Sequence, residues 1–250
     1  MIEISNISKT FSDRNVVHDV SFTFETGKTN LIIGESGSGK TTILKMMVGL
    51  LTPDEGKVIY DGRNFLELGD HQKQEVRREI GMLFQGGALF DSMTVEENVA
   101  FPLRMFTKFS EKEIAERVDF CLNKVKLEGR NKLYPAELSG GMKKRAALAR
   151  AISSNPKYLF CDEPNSGLDP RTSLVIDDLI LELTTDFNMT TVVITHDMNS
   201  VMQIGKNIMY LYDGKKWWEG NNQQVLTTTN KELLDFVYAS EFLKQLKPKN

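Results

Sequence analysis

Two cysteines in 250 residues, Cys121 and Cys161, are too few and too far apart for a disulfide-stapled secreted fold. Both have apolar neighbours and read as buried thiols of a reducing compartment, and nothing beside either one supports a nucleophilic role. No apolar run approaches the roughly 20 residues that cross a bilayer. The opening residues Met1-Ile2-Glu3-Ile4-Ser5 lack the charged and then apolar pattern of a secretory leader. The expectation is a soluble chain, so the membrane part of any membrane process would be another polypeptide. Charge of one sign is missing as well. With 31 basic against 34 acidic residues the net charge is −3, and no basic field argues for a nucleic-acid partner. Internal repeats, low-complexity segments and long linkers are absent, and the length suits one large domain or two small ones.

What is present starts with Gly34-Glu35-Ser36-Gly37-Ser38-Gly39-Lys40-Thr41, between the apolar run Leu31-Ile32-Ile33 and the helix-prone Thr42-Ile43-Leu44-Lys45-Met46-Met47. Its spacing is G-x-x-x-x-G-K-T, the phosphate-binding P-loop, with the flanks that motif needs. A triphosphate requires many donors at close range, and glycines let backbone N–H groups curl round it where a Cβ would clash. A helix starting at Lys40 adds its positive end. In this reading Lys40 reaches the β- and γ-phosphates and the Thr41 hydroxyl is a ligand of Mg²⁺.

Before the P-loop, residues 2 to 24 read as β-structure turning at Ser12-Asp13-Arg14-Asn15. Phe11 is either a core aromatic or a ring for a base to stack on. Beyond it, the apolar strand Ile80 to Phe84 ends at Gln85, and Gly86-Gly87 would allow a hinge. Ser110 and Glu113 have capping-box spacing and start a helical arm, approached by a loop holding Phe101 and Pro102, whose apolar side chains suit either docking or packing within the arm. Leu138-Ser139-Gly140-Gly141-Met142 precedes another helix, as either an anion-binding start or a plain cap. Tyr158-Leu159-Phe160-Cys161 runs into Asp162-Glu163, and a buried carboxylate pair is expensive without a cation. Asp162 fits as the Mg²⁺ partner and Glu163 as the base that polarises water. Ser166-Gly167-Leu168-Asp169 is a turn, and His196 closes the strand Thr191 to Thr195 in the position where open α/β sheets hold ligands. A hairpin with adjacent Trp217 and Trp218 must place the two rings on opposite faces. The apolar tail positions Leu233, Phe236, Val237, Phe242, Leu243 and Leu246 form a helix that packs on its own domain or reaches a partner.

Taken together these motifs resemble the ATP-binding-cassette (ABC) ATPases over nearly the whole chain. The resemblance implies an α/β P-loop NTPase fold: a RecA-like core sheet, an N-terminal antiparallel β part and a helical subdomain. Residues 1–250 would form a single domain, with the helical subdomain within about 88–155 and a helical tail from about 222 to 250. It makes Gly34 to Thr41 the Walker A loop, with Glu35, Ser36, Gly37, Ser38, Gly39 and Thr42 also at the nucleotide. Gln85 becomes the Q-loop glutamine, reaching nucleotide and metal, and Leu138, Ser139, Gly140, Gly141 and Met142 the signature that closes the ATP site of a second copy. Asp162 is then the Walker B metal ligand, Glu163, His196 and Lys40 the catalytic set, Ser166, Gly167, Leu168 and Asp169 the D-loop, and Phe11 the aromatic on adenine. Met142 departs from the usual Gln but leaves the Ser139 hydroxyl and the glycine amides in place. With the segment Gly86 to Val99 it resembles the ATPases of Mla-type phospholipid transporters, which work with MCE proteins. The implied assembly is a homodimer with ATP and Mg²⁺, peripheral on the cytoplasmic face of the inner (plasma) membrane under a separate permease. An importer of amino acids or another small solute is the alternative within the family, and a non-transport ABC ATPase acting on DNA or ribosomes is the rival outside transport.

Overall fold

The computed structural model describes residues 1–12 and 14–239. Two sheets share the work. One is antiparallel: β1 (Ile2–Phe11), β2 (Arg14–Phe24), β4 (Glu55–Tyr60) and β5 (Arg63–Asn64), in the order β2-β1-β4-β5. The other has six strands, β3 (Thr29–Ile33), β6 (Ile80–Leu83), β7 (Tyr158–Asp162), β8 (Thr190–Thr195), β9 (Asn207–Tyr212) and β10 (Lys215–Gly220), in the order β10-β9-β3-β8-β7-β6. From β9 to β6 it is parallel, and β10 closes one edge antiparallel.

The inner strands are apolar without alternation, as a sheet buried on both faces requires. Because successive side chains point to opposite faces, one strand feeds two cores. Leu31 and Ile33 of β3 join the core under the helices, while Ile32 joins the one shared with the antiparallel sheet. Phe160 against Leu159 and Cys161 on β7 divide in the same way. Both cysteines are buried and free.

The nine α-helices of the described residues begin with α1 (Lys40–Met47) and α2 (Asp70–Arg78), then α3 (Val95–Phe106), α4 (Glu111–Lys124) and α5 (Gly140–Ile152), which form the expected helical arm. After it come α6 (Pro170–Asp186), α7 (Met198–Ile204), α8 (Asn222–Val225) and α9 (Lys231–Val237). The Ser110–Glu113 capping box forms, yet the arm begins earlier, at an equivalent box of Thr94 and Glu97. Phe101 and Pro102, expected in a loop, lie inside α3. A proline removes one helical N–H but does not forbid the helix when the face around it is buried, as Val95, Val99, Ala100 and Leu103 are here. Trp218 packs against the core and Trp217 is exposed, the division expected of adjacent strand residues. The described part of the tail packs on its own domain through Leu233 and Val237, while Phe242, Leu243 and Leu246 lie outside the described residues.

Candidate active site

The carboxyl ends of the parallel strands deliver the chemistry to one edge, where an open α/β sheet binds its ligands. Ile33 is level with Thr195, Ile194 with Asp162, and Leu83 with Cys161, so Gly34, His196, Glu163 and the Phe84-Gln85 pair emerge side by side. Of these, Gln85, Glu163 and His196 border a cleft of about 1220 Å³, while Gly34 and Phe84 lie just behind its lining. Glu35, Ser36, Gly37, Gly39, Lys40, Thr41 and Thr42 line it on one side. Gln85, Asp162, Glu163, Ser166, Gly167 and His196 line the other.

Two glycines of the P-loop pack too closely against neighbouring backbone to carry a side chain. At Gly34 (φ 149°) a Cβ would come within 2.3 Å of the Leu211 carbonyl, and at Gly39 (φ 106°) within 2.9 Å of the Val16 carbonyl. Lys40 is buried and donates to the Gly34 and Glu35 carbonyls at 2.8 and 2.7 Å, spanning the loop from within. Burial lowers its pKa, opposed by the charges of Glu163, Asp162 and Glu35. The buried Ser38 hydroxyl has no partner in the protein. A loop that spends glycines and a buried cation beside an open cleft is suited to a polyanion.

Opposite stand the two acids. Burial, reinforced by the Glu163 charge, raises the pKa of Asp162, with Lys45, Lys40 and Lys144 opposing. Glu163 sits at φ 45°, a left-handed conformation that costs a non-glycine residue about 1–2 kcal/mol. Its N–H donates to the Ile194 carbonyl at 2.9 Å, and its Oε1 lies 2.9 Å from His196 Nδ1. Gln85 Nε2 donates to Ser166 Oγ at 3.2 Å, tying the glutamine to the turn after Glu163. Asp169 caps α6, its carboxylate accepting from the Thr172 N–H at 3.1 Å.

A dimeric bacterial ABC transporter cassette superposes on this fold with a TM-score of 0.80 at 34% identity, covering 89% of this chain and 99% of that one. The same cassette, with the same TM-score, is known in a post-hydrolysis state bound to ADP and Pi. The sequence profile of the ABC transporter family matches residues 17–166. The chain belongs to that family. Among curated relatives, the intermembrane phospholipid transport system ATP-binding protein MlaF of Haemophilus influenzae is 39% identical over 95% of this chain and 90% of its own. A probable ribonucleotide transport ATP-binding protein, mkl of Mycobacterium tuberculosis, is 37% identical over 94% of this chain. The cassette spans 66% of the length of mkl.

Not every expected residue reaches the cleft. Leu138, Ser139, Gly140, Gly141 and Met142 lie outside it, with Ser139 and Gly140 exposed and the Ser139 hydroxyl accepting the Met142 N–H at the start of α5. Phe11 is also outside the lining. It is 44% exposed, with Lys9 5.7 Å from its ring centre, while Arg14 and Val16 of the neighbouring strand border the cleft. The loop after Gln85 is tied to α5 in this structure. Lys144 donates to the Gln85 carbonyl, and Arg150 to the Gly87 and Ala88 carbonyls at 2.9 and 2.7 Å.

Sequence reasoning did not place Asn165 and the tail residues Phe236, Val237 and Ala239 at the cleft, which they border, and passed over Lys144, which reaches the Gln85 carbonyl. A signal existed for Lys144. With Gly141 and Leu148 it occupies the buried stripe of α5, where a charge is conspicuous.

Proposed function

We propose that the chain is the ATP-hydrolysing subunit of a phospholipid transporter, acting as a homodimer at the cytoplasmic face of the inner membrane. The cargo reading rests on one observation: the likeness to MlaF extends over nearly the full length of both chains. The mycobacterial relative's name points instead to ribonucleotides, but the cassette spans less of that protein. No helix of the described residues is long and apolar enough to cross a membrane, so the reading calls for a separate permease. α3 and the turn after it offer it a surface, with Met105, Phe106 and Phe109 exposed. An MCE-type lipid-binding protein completes the assembly.

The mechanism follows from the residues. Lys40 and the P-loop amides bind and orient the triphosphate. No cluster of three or more His, Cys, Asp or Glu side chains among the described residues makes a metal site by itself. The raised pKa of Asp162 beside Glu163 nonetheless suits a pair that gains from a cation, and Asp162, the Thr41 hydroxyl and Gln85 are the groups that would hold Mg²⁺. Bound there, the ion would neutralise charge developing on the phosphates. Glu163 orients the attacking water and accepts its proton, and His196 holds the carboxylate in place. The signature of one protomer, lying outside its own cleft, closes the site of its partner, as the dimeric cassette neighbour makes geometrically reasonable.

Gentle affinity purification from native membranes, with mass spectrometry of proteins and lipids, tests this. A multispanning permease with an MCE protein and phospholipid is the expected result. A permease with a solute-binding protein would leave the ATPase intact and overturn the cargo.

A further inference from the structure

Asp177 is a fully buried carboxylate in the interior stripe of α6, among Ser173, Ile180 and Thr184. No cation pairs with it among the described residues. Asn165 Nδ2 donates at 2.9 Å to Asp177 Oδ1 and, with its second proton, at 2.9 Å to Ser200 Oγ, and the Ser200 hydroxyl also acts on the carboxylate. All three residues are buried, and they come from three different segments: α6, the turn after β7, and α7. We propose that Asp177 is a positioning residue for hydrolysis, anchoring through Asn165 and Ser200 both the turn that presents Glu163 and the helix that follows His196.

Packing alone does not account for the cluster. Asp177 Oδ2 and Asn165 Oδ1 are buried with no partner. Unpaired acceptors of this kind weaken a fold, and an apolar side chain of the same shape would avoid the loss. What the cluster supplies is registration. Asn165 lies two residues after Glu163, whose backbone is in the left-handed region and has to be held from outside. The Glu163 carbonyl accepts the Ser166 N–H at 3.1 Å, so the turn is short, and Asn165 is its buried polar side chain. On the other side, Ser200 lies in the first turn of α7, which Asp197 caps directly after His196. The Asn165 amide, oriented by the Asp177 carboxylate, thus ties together the segments on both sides of the 2.9 Å contact between Glu163 and His196. Geometry at a nucleophilic water is unforgiving, and a displacement of about 1 Å costs on the order of 10²-fold in rate.

This inference rests on reading Glu163 and His196 as the hydrolytic pair, and the test separates the two. Phosphate release and nucleotide affinity are measured on the intact chain for Asp177→Leu, Asp177→Asn, Ser200→Ala and Glu163→Gln. Asp177→Leu is expected to lower kcat about tenfold or more while ATP affinity stays within about twofold. Asp177→Asn should recover most of the rate, since its oxygen still accepts from Asn165 and its amide can donate to the unpaired Asn165 oxygen. A folded Asp177→Leu protein with normal kcat overturns the proposal, as does parallel loss of kcat and affinity, or an Asn variant as slow as the Leu variant. Should Asp177→Leu not fold, Ser200→Ala decides, because it is smaller than the native residue: reduced kcat at unchanged affinity supports the anchor and normal kcat removes it. Glu163→Gln hydrolysing at the normal rate would instead overturn the hydrolytic pair itself.

Discussion

The two glycine-bearing loops of this cassette are built on opposite plans. The P-loop is finished before any ligand arrives: Lys40 is buried and held by the Gly34 and Glu35 carbonyls, and Gly34 and Gly39 have no room for a side chain. The signature loop is a plain helix start, with Ser139 and Gly140 exposed and no contact with the cleft. Glycine is packed there too, but against the same chain, since a Cβ on Gly141 would meet Thr172 Cγ2 at 2.4 Å. One loop is a preorganised receptor and the other an exposed helix start, which the proposed function assigns to a second copy's site. Polar groups arranged in advance stabilise charge without reorganisation when the reaction occurs, which is what a phosphate site needs. A surface that completes a site only on assembly makes hydrolysis conditional on that assembly.

The sharpest way to break the comparison is to disable the receptor half at its chemical step. Glu163→Gln keeps the shape of the pair with His196 but removes the base, and kcat should fall roughly 10²–10⁴-fold with nucleotide binding retained. Lys40→Ala should fail earlier, at binding, because the cation that spans the loop is gone; direct titration of ATP distinguishes the two. If Glu163→Gln lost affinity as well, the separation of binding from chemistry within this half would collapse.

A mixing experiment then asks whether the two loops act in one chain or across two. Ser139→Arg places bulk and charge on the exposed signature, and hydrolysis should be lost while ATP binding to the single chain is unchanged. Lys40→Ala and Ser139→Arg proteins are each inactive alone. Mixed equally and allowed to exchange, about half of the dimers are heterodimers, each with one site built from an intact P-loop and an intact signature. About a quarter of normal activity should return. A cis arrangement returns none.

How much of this was legible in the sequence depends on what each residue has to satisfy. Lys40, Glu163 and His196 follow strand ends that read plainly, because β3, β7 and β8 are apolar runs with no competing period. Pro102 obscured α3, since local propensity argued for a break that burial of the surrounding face overrode. Phe11 could be placed near the cleft by its neighbours in sequence, but its direction depends on a hairpin register that shifts three times between Ile4 and Thr10. A one-residue shift turns a side chain to the other face. Lys144 and Asp177 were legible in principle as charges on apolar stripes, and went unread because their partners, the Gln85 carbonyl and Asn165, are distant in sequence.

The smallest expected effect concerns the stability of the receptor half. Burial raises the Asp177 pKa to about 6, with the Asp197 and Asp178 charges adding to the shift and hydrogen bonds from Ser200 and Asn165 opposing it. An acid whose folded pKa exceeds its unfolded value binds extra protons on folding between the two, so folding stability from this group rises as pH falls through that window. At pH 7 the ionised carboxylate is buried at a cost, and the cost fades from about pH 6 towards the unfolded value near 4. Asp177→Asn removes the titration. Urea unfolding of both proteins between pH 7.5 and 5 should show the wild type gaining on the variant by roughly 1–2 kcal/mol as pH falls. A difference that stays flat would mean Asp177 is not titrating in that interval, and the cluster would then be fixed by solvent or by a counter-charge rather than by Asn165 and Ser200 alone.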